Sequence, residues 1–458
     1  VALTRRAILA SLFAQPLAAG LVSAQAKPTG KPKPLSPGAV THDWPSFLGP
    51  TFNAVSTETR LTRTFPPATV WELPKGEGYT SPAIVGTRLV FQHRVGDEEV
   101  VECLHPETGA PLWRFRYPTA YQDRYGYNNG PRSSPVIDRG RVFTMGAEGK
   151  LHCLDLATGK VIWNRNLRAD YRVTQDFFGT SSTPLVEGRL LIVNVGAPRG
   201  PTVVGLDLDT GREVWRAGTQ WGAGYASPIP ATIHGRRRVL VFAGGESDPP
   251  TGGLMCIDPA TGRVDFSFPW RSRSFESVNA SCPVIFDNKV FVSASYRTGG
   301  ALVEVRPDFT HRVLWTTQEF ALHFNTAVYR DGYLYGFDGR NEPDASLACI
   351  NAATGKVVWR EIPEWTEKIG STQQLVGTAR GSLLAADGQF LCLGEFGHLL
   401  WLDLSPKGYK EVSRTWLFPA RESWCLPVLS RGLLYVSQNT RDLMRTSGPR
   451  LICYDVRG

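Results

Sequence analysis

A short element returns along this chain and dictates what it can fold into. Its clearest copy is Asp155-Leu156-Ala157-Thr158-Gly159-Lys160-Val161-Ile162-Trp163. It closes a unit that begins at Ser134-Pro135-Val136-Ile137-Asp138, a short strand pattern. Arg139-Gly140 then turns, Arg141 to Gly146 reads as a second strand, Glu148-Gly149 turns, and Leu151 to Asp155 is a third. Ala157-Thr158-Gly159-Lys160 turns again, and Val161-Ile162-Trp163 opens a fourth. Apolar runs with turn residues at every corner predict a four-stranded antiparallel meander.

Self-similarity at a fixed period is the mark of a repeat architecture. The same order recurs at 81–113, 183–215 and 227–266, the last with Phe266 where Trp stands elsewhere. Residues 282–315 keep Cys282-Pro283 and Trp315 but lose the Thr-Gly turn, 325–359 restore it, and 381–416 are a looser copy. The final copy, 425–456, ends without a fourth strand, and Val70-Trp71-Glu72, ahead of the first copy, has the missing pattern. The fourth-strand anchors are then Trp71, Trp113, Trp163, Trp215, Phe266, Trp315, Trp359 and Trp416, spaced by about 49 residues. The predicted fold is all-β: an eight-bladed β-propeller of four-stranded antiparallel blades, closed by an N-terminal strand. Closure leaves no incomplete blade with an exposed edge.

The repeat's chemistry reads as structural. A Trp at the start of each outer strand can fill the wedge between blades and donate its indole N–H to a carbonyl. Gly in Thr-Gly supplies positive φ for the turn. Of eight cysteines, Cys103, Cys153, Cys256, Cys349 and Cys453 share one third-strand position. Neighbouring sheets lie about 10 Å apart and bridged Cα atoms within about 7 Å, so these cysteines are expected to be buried and unpaired. Cys392 is read the same way. Cys282 and Cys425 both precede inner strands, and a disulfide across the channel between them is disfavoured.

The N-terminus reads as an address. Arg5-Arg6 precedes the mostly apolar run Ala7 to Val22, and Ala24-Gln25-Ala26 offers a small-x-small cleavage site. A cleaved leader of the twin-arginine or general secretory type fits better than an anchor, because Gln15 and Pro16 interrupt a run already short for a span. The expected organisation is an export signal at 1–26, a Pro/Lys-rich linker at 27–42, an N-terminal strap at 43–65 and the propeller at 66–458. The product would be periplasmic or secreted, with no transmembrane segment after cleavage. The formal charge is +8, but residues 1–40 hold Arg5, Arg6, Lys27, Lys31 and Lys33 and no acid. The remainder is near neutral and carries no electrostatic footprint for nucleic acid.

The recurring D-x-A-T-G-K-x-x-W element, with Asp43-Trp44-Pro45-Ser46-Phe47-Leu48-Gly49-Pro50 ahead of it, resembles the pyrroloquinoline-quinone-like propeller repeat over about residues 43–456. That superfamily holds quinoprotein alcohol dehydrogenases and outer-membrane protein assembly factor B, a non-enzymatic scaffold, so the resemblance implies fold more firmly than function. The dehydrogenases carry an adjacent Cys-Cys pair against the quinone, and many carry a C-x-x-C-H haem site; this sequence has neither. Their Glu, Asn and Asp for calcium and proton transfer do not map onto particular residues here. The eight histidines show no H-x-x-x-H spacing, so no metal is expected.

Binding on a repeat scaffold belongs in the loops that do not repeat. Those leading into the inner strands should gather at one channel mouth. Several are polar and aromatic: Tyr125 to Arg132, Gln175-Asp176-Phe177-Phe178-Gly179, Phe275 to Asn279, His323-Phe324-Asn325 and Arg421 to Trp424. The candidate ligand-binding residues are Arg132, Glu276, Asn279, His323, Asn325, Glu422 and Trp424; no catalytic residue is assigned. Two functions follow. One is a monomeric, non-catalytic binding or scaffold propeller of the envelope, taking a protein, peptide or glycan without a cofactor. The alternative is an alcohol or sugar dehydrogenase using pyrroloquinoline quinone with calcium.

Overall fold

The computed structural model describes residues 25–174, 177–341, 344–444 and 447–458. The expected export signal, residues 1–26, falls almost wholly outside the described residues, as do Gln175 and Asp176. Eight four-stranded antiparallel meanders form the ring, and Leu167–Tyr171 is the single described helix. No described helix is long and apolar enough to cross a membrane. Blade 1 is residues 83–118, blade 2 is 136–166, blade 3 is 185–217 and blade 4 is 229–269. Blades 5, 6 and 7 are 284–317, 328–361 and 382–416. Blade 8 joins 428–455 to Ala68–Pro74, which pairs antiparallel with Arg450–Asp455 and closes the ring.

The register explains the repeat. In seven blades the aromatic anchor faces a third-strand residue just before a bulge: Trp71 faces Cys453, Trp113 Cys103, Trp163 Cys153 and Trp215 Gly205. Phe266 faces Cys256, Trp315 Leu302 and Trp359 Cys349. The bulge adds local twist, which turns the anchor toward the next blade. There the indole N–H donates to the carbonyl that opens the neighbour's outer turn. Trp71 bonds Pro106, Trp113 bonds Leu156, Trp163 bonds Leu208, Trp215 bonds Pro259, Trp315 bonds Ala352 and Trp359 bonds Ser405, at 2.7–3.1 Å. In five of these six grips the indole also lies against the turn's glycine. A Cβ placed on Gly109, Gly159, Gly211, Gly262 or Gly355 would come within 2.5–2.9 Å of the preceding blade's ring. The Thr-Gly turn therefore needs glycine twice, for its positive φ and for the close approach.

The two irregular grips answer to their neighbours. Phe266, with no N–H to give, precedes the blade whose outer turn has no glycine; there Phe309 takes φ 62°, and His311 packs 4.7 Å from Phe266. Trp416 is corrected as an anchor. The bulge of blade 7 puts Ser413 opposite Trp401 in the anchor register, and Trp416 stands three residues on, opposite His398. Blade 8 is closed by a strand from the other end of the chain and has no outer turn to grip. Ser413 Oγ instead donates to the Arg63 carbonyl of the strap (2.7 Å), while the Arg63 guanidinium lies 4.0 Å over the Trp401 ring. Trp416 bonds Phe396 within its own blade and stacks on His398 at 4.6 Å. His398 also meets Trp365, on the extra hairpin Glu364–Gly377 that leaves the ring between blades 6 and 7.

A second ring of contacts lies at the channel. Ser81 N–H donates to Ser134 Oγ, Ser134 to Thr183, Thr183 to Ser227, Ser227 to Cys282 Sγ and Cys282 to Thr326, at 3.0–3.3 Å. The Ser-Pro, Thr-Pro and Cys-Pro dipeptides are links in this chain. All eight cysteines are buried and free, and desolvation raises the Cys103, Cys153 and Cys256 thiols to about 12. Residues 27–65 run along the ring. Lys27–Pro28 adds a fifth strand to blade 8, and Trp44, Leu48 and Ala54 are buried. Trp44 pairs with Ile84, Val55 with Ala385 and Leu61 with Arg457, at the ends of blades 1, 7 and 8 away from the mouth.

The grip is testable by paired glycine substitutions. Gly140 and Gly211 have similar φ (74° and 69°), but a Cβ on Gly140 meets nothing within 4 Å. Gly140→Ala should cost about 1–2 kcal/mol of backbone strain. Gly211→Ala should cost about 1–3 kcal/mol more from overpacking against Trp163. Urea denaturation of both variants gives the difference; equal losses would contradict the grip.

Candidate functional site

The residue four positions before each inner strand reaches the channel mouth at one register. Around the ring these are Tyr79, Arg132, Ser181, Tyr225, Ala280, Phe324, Arg380 and Trp424. In blade 7 the position is counted back from Leu384, which pairs with Leu391 as Ala83 pairs with Val90 in blade 1. The set mixes broad rings with two guanidiniums, and neighbouring members touch. Arg132 lies 5.3 Å over the Tyr79 ring, Tyr79 packs 5.3 Å from Trp424, Trp424 packs 5.5 Å from Phe324, and Arg380 lies 5.1 Å over Trp424.

The loop between blades 1 and 2 crosses this set. Asp123 organises it: Oδ1 accepts from the backbone N–H groups of Tyr125 (2.9 Å) and Tyr127 (3.1 Å), and Oδ2 accepts from Arg132 Nη2 (2.6 Å). Its carboxylate is fully buried. Short local bonds of this kind are why Asp favours turns. They hold up two half-exposed rings. Tyr125 meets Phe177 and Phe178, and Tyr127 meets Phe178 and Trp424. Through Phe177 to Phe275, and through Phe324 to His323 and Tyr296, the rings form an aromatic collar.

Polar groups under the collar are paired. Glu395 is 2% exposed and accepts from Arg380 Nε (3.0 Å) and Trp424 Nε1 (2.8 Å). Glu422 accepts from the Tyr79 hydroxyl. Burial raises the Glu422 carboxyl above its usual range, and the nearby Glu395 charge adds to this. The same burial, with Glu422 beside it, raises the Tyr79 phenol.

The seven sequence candidates therefore divide. Arg132, His323, Glu422 and Trp424 join one contact network through Tyr79 and Phe324. Glu276 stands exposed on the rim; burial raises the Tyr125 and Tyr296 phenols, and the Glu276 charge adds a smaller contribution. Asn279 is buried, its amide donating to the Ala243 and Trp270 carbonyls, and Asn325 donates to Arg380 and Gly381 carbonyls. Both asparagines hold loops in place. Tyr79, Tyr127, Arg380 and Glu395 complete the site. The register four before the inner strand would have found Tyr79 and Arg380; Glu395 lies in a turn between the second and third strands, which the inner-strand loops do not include.

A calcium-held quinone would need several oxygen donors facing one point. Here Asp123 faces Arg132, Glu395 faces Arg380 and Trp424, and Glu422 faces Tyr79. Among the described residues, no three His, Cys, Asp or Glu side chains are placed to hold a metal. The residues present do not fit a calcium–quinone centre.

His323 gives the collar a pH signature. Burial, then the Arg380 and Arg340 charges, lowers its imidazole from 6.5 to about 4. The unfolded chain binds this proton below pH 6.5 and the folded chain does not until about pH 4. The stability it contributes is therefore full above pH 6.5 and falls as pH drops toward 4. NMR titration should show a neutral ring at pH 5.5, and His323→Gln should flatten part of the stability slope between pH 6.5 and 4. A protonated His323 at pH 6 would contradict this environment.

Comparisons with known proteins agree with the architecture. The assembly factor BamB of Moraxella catarrhalis superposes with a TM-score of 0.55 at 16% identity, over 85% of this chain and 98% of that one. The quinohemoprotein alcohol dehydrogenase of Comamonas testosteroni superposes with a TM-score of 0.64 at 12% identity, over 91% and 81%. At such identities the likeness speaks for the fold alone. Quinohemoprotein alcohol dehydrogenase ADH-IIG of Pseudomonas putida is 27% identical over 128 residues, which span 27% of this chain and only 17% of that protein. The family model described as outer membrane protein assembly factor BamB matches residues 97–361, more than half of the sequence, and the chain belongs to that family.

Proposed function

We propose that this protein is an exported, non-catalytic binding propeller of the cell envelope, which takes a protein, peptide or glycan on its aromatic collar. The observation that carries this reading is the division of labour at the mouth. The charged groups beneath are paired and buried, whereas Tyr125, Tyr127 and Phe275 are 39–45% exposed. Exposed rings held by a rigid polar frame are the composition of a recognition surface, since aromatic anchors dominate binding energy and lose little entropy. The family's description as an outer-membrane protein assembly factor favours a protein partner in the periplasm. The same face of a monomer would be free to meet it.

The second reading, a quinone-dependent alcohol or sugar dehydrogenase, draws on the likeness to the quinohemoprotein enzymes. The paired carboxylates at the mouth weigh against it, as does the lack of an adjacent Cys-Cys pair.

The collar is tested by comparing immobilised wild type with Tyr125→Ala/Tyr127→Ala and with Glu276→Ala in envelope extract. Retained molecules are quantified by mass spectrometry. The double variant should lose at least one wild-type ligand by about tenfold or more, the scale of removing hot-spot aromatics. Identical retention by all three proteins would overturn the collar as the binding surface.

A further inference from the structure

Beside the collar, and sharing Tyr296 with it, a cleft of about 860 Å³ opens between blades 4 and 5. It is of the size that holds a ligand of several rings. Its walls include Trp221, Trp270, Arg271, Arg273, Tyr296 and Arg297, with Ser and Thr hydroxyls between them and no carboxylate.

The three guanidiniums differ in a useful way. Arg271 is fixed: Nη1 donates to Ser247 Oγ (2.9 Å), Nη2 donates to the Ser277 carbonyl, and its buried Nε–H has no partner. Arg273 and Arg297 are exposed, and neither side chain makes a hydrogen bond or ion pair with any described residue. Most arginines of this chain are paired with acids, so two free forks beside one cleft form a local concentration of unspent positive charge. Planar guanidinium forks match a carboxylate bidentately.

The aromatic walls are positioned with care. Trp270 is pinned by its indole N–H to the Gly299 carbonyl (3.1 Å) and stacks on Phe268. Tyr296 and Arg297 form the centre of a turn in which both residues are left-handed, φ 56° and 64°. No other two consecutive non-glycine residues share that conformation among the described residues. Backbone strain of this kind persists where the surrounding structure holds it, and it gathers at ligand clamps. Here it sets a ring and a free guanidinium on the lip of the cleft.

We propose that this cleft binds an anionic saccharide, one whose sugar rings carry carboxylates, as uronic acid units do. Rings stack on Trp270 and Tyr296, carboxylates meet Arg273 and Arg297, and sugar hydroxyls meet the Ser and Thr side chains. A peptide would satisfy the charge but has no need of flat walls lined with hydroxyls. Tyr296 belongs to both sites, but Arg273 and Arg297 are not part of the collar and Tyr125 and Tyr127 do not line the cleft, so the two readings fail separately.

Isothermal titration calorimetry of the full protein with trigalacturonate, maltotriose and inorganic sulfate tests it. Trigalacturonate should bind one to one, weaken with added salt, and bind at least about tenfold tighter than uncharged maltotriose. Arg273→Ala/Arg297→Asn should weaken trigalacturonate by about tenfold or more through loss of two charge-assisted contacts. Asn is chosen at 297 because it tolerates left-handed backbone. Both positions are exposed, so circular dichroism should match wild type. Absence of trigalacturonate binding at millimolar concentration, an affinity unchanged in the double variant, or full displacement by equimolar sulfate would each overturn the saccharide assignment.

Discussion

The contact of the outer-strand aromatic anchor with the outer turn of the next blade holds this ring together. A blade has two broad faces and cannot bury them alone; the indole fills the wedge, and its N–H satisfies a carbonyl that the wedge would otherwise strand. The bulge aims the ring, a glycine makes room for it in five grips, and in five blades a small cysteine packs opposite the anchor. At two places both partners change together. Phe266 precedes a turn without glycine, and Ser413 precedes the blade that has no outer turn.

Because the grip and the inner chain of Ser, Thr and Cys links set the blade positions, the loops at the mouth need not contribute to closure. They are free to vary, and they do: one blade offers Trp424 at the mouth register where another offers Ala280. The collar then rests on a few buried ion pairs. Such pairs stabilise little relative to apolar packing but lose heavily when one partner is removed. Asp123 with Arg132 and Glu395 with Arg380 are in that position, which makes them fixings of the loops more than sources of affinity.

The fold was legible because its determinants are local and repeated. Strand, turn and Trp recur in order, and the truncated last copy matched the spare strand at Val70-Trp71-Glu72. Trp416 misled because a Trp near the expected place was counted without its register; the bulge present in the other blades recurs in blade 7, but it puts Ser413 in the anchor position, three residues before the Trp. The site was harder. Arg132, His323, Glu422 and Trp424 were visible as polar and aromatic loop residues, but so were Asn279 and Asn325, which turn inward to bond carbonyls. Whether an amide faces a ligand or its own backbone depends on loop geometry, which one sequence does not spell out. Tyr79 and Arg380 were readable in principle from the mouth register. The cleft between blades 4 and 5 was not, since it gathers residues from four separate loops.

Within a fold shared by assembly factors and quinohemoprotein dehydrogenases, the two readings make opposite predictions about quinone binding at the mouth. The most direct measurement is an absorbance titration of the purified protein with pyrroloquinoline quinone and calcium, followed by dye-linked alcohol oxidation. With Asp123, Glu395 and Glu422 committed to Arg132, Arg380, Trp424 and Tyr79, no stoichiometric calcium-dependent quinone spectrum and no turnover are predicted. One equivalent of tightly bound quinone with alcohol-dependent dye reduction would contradict a non-catalytic propeller.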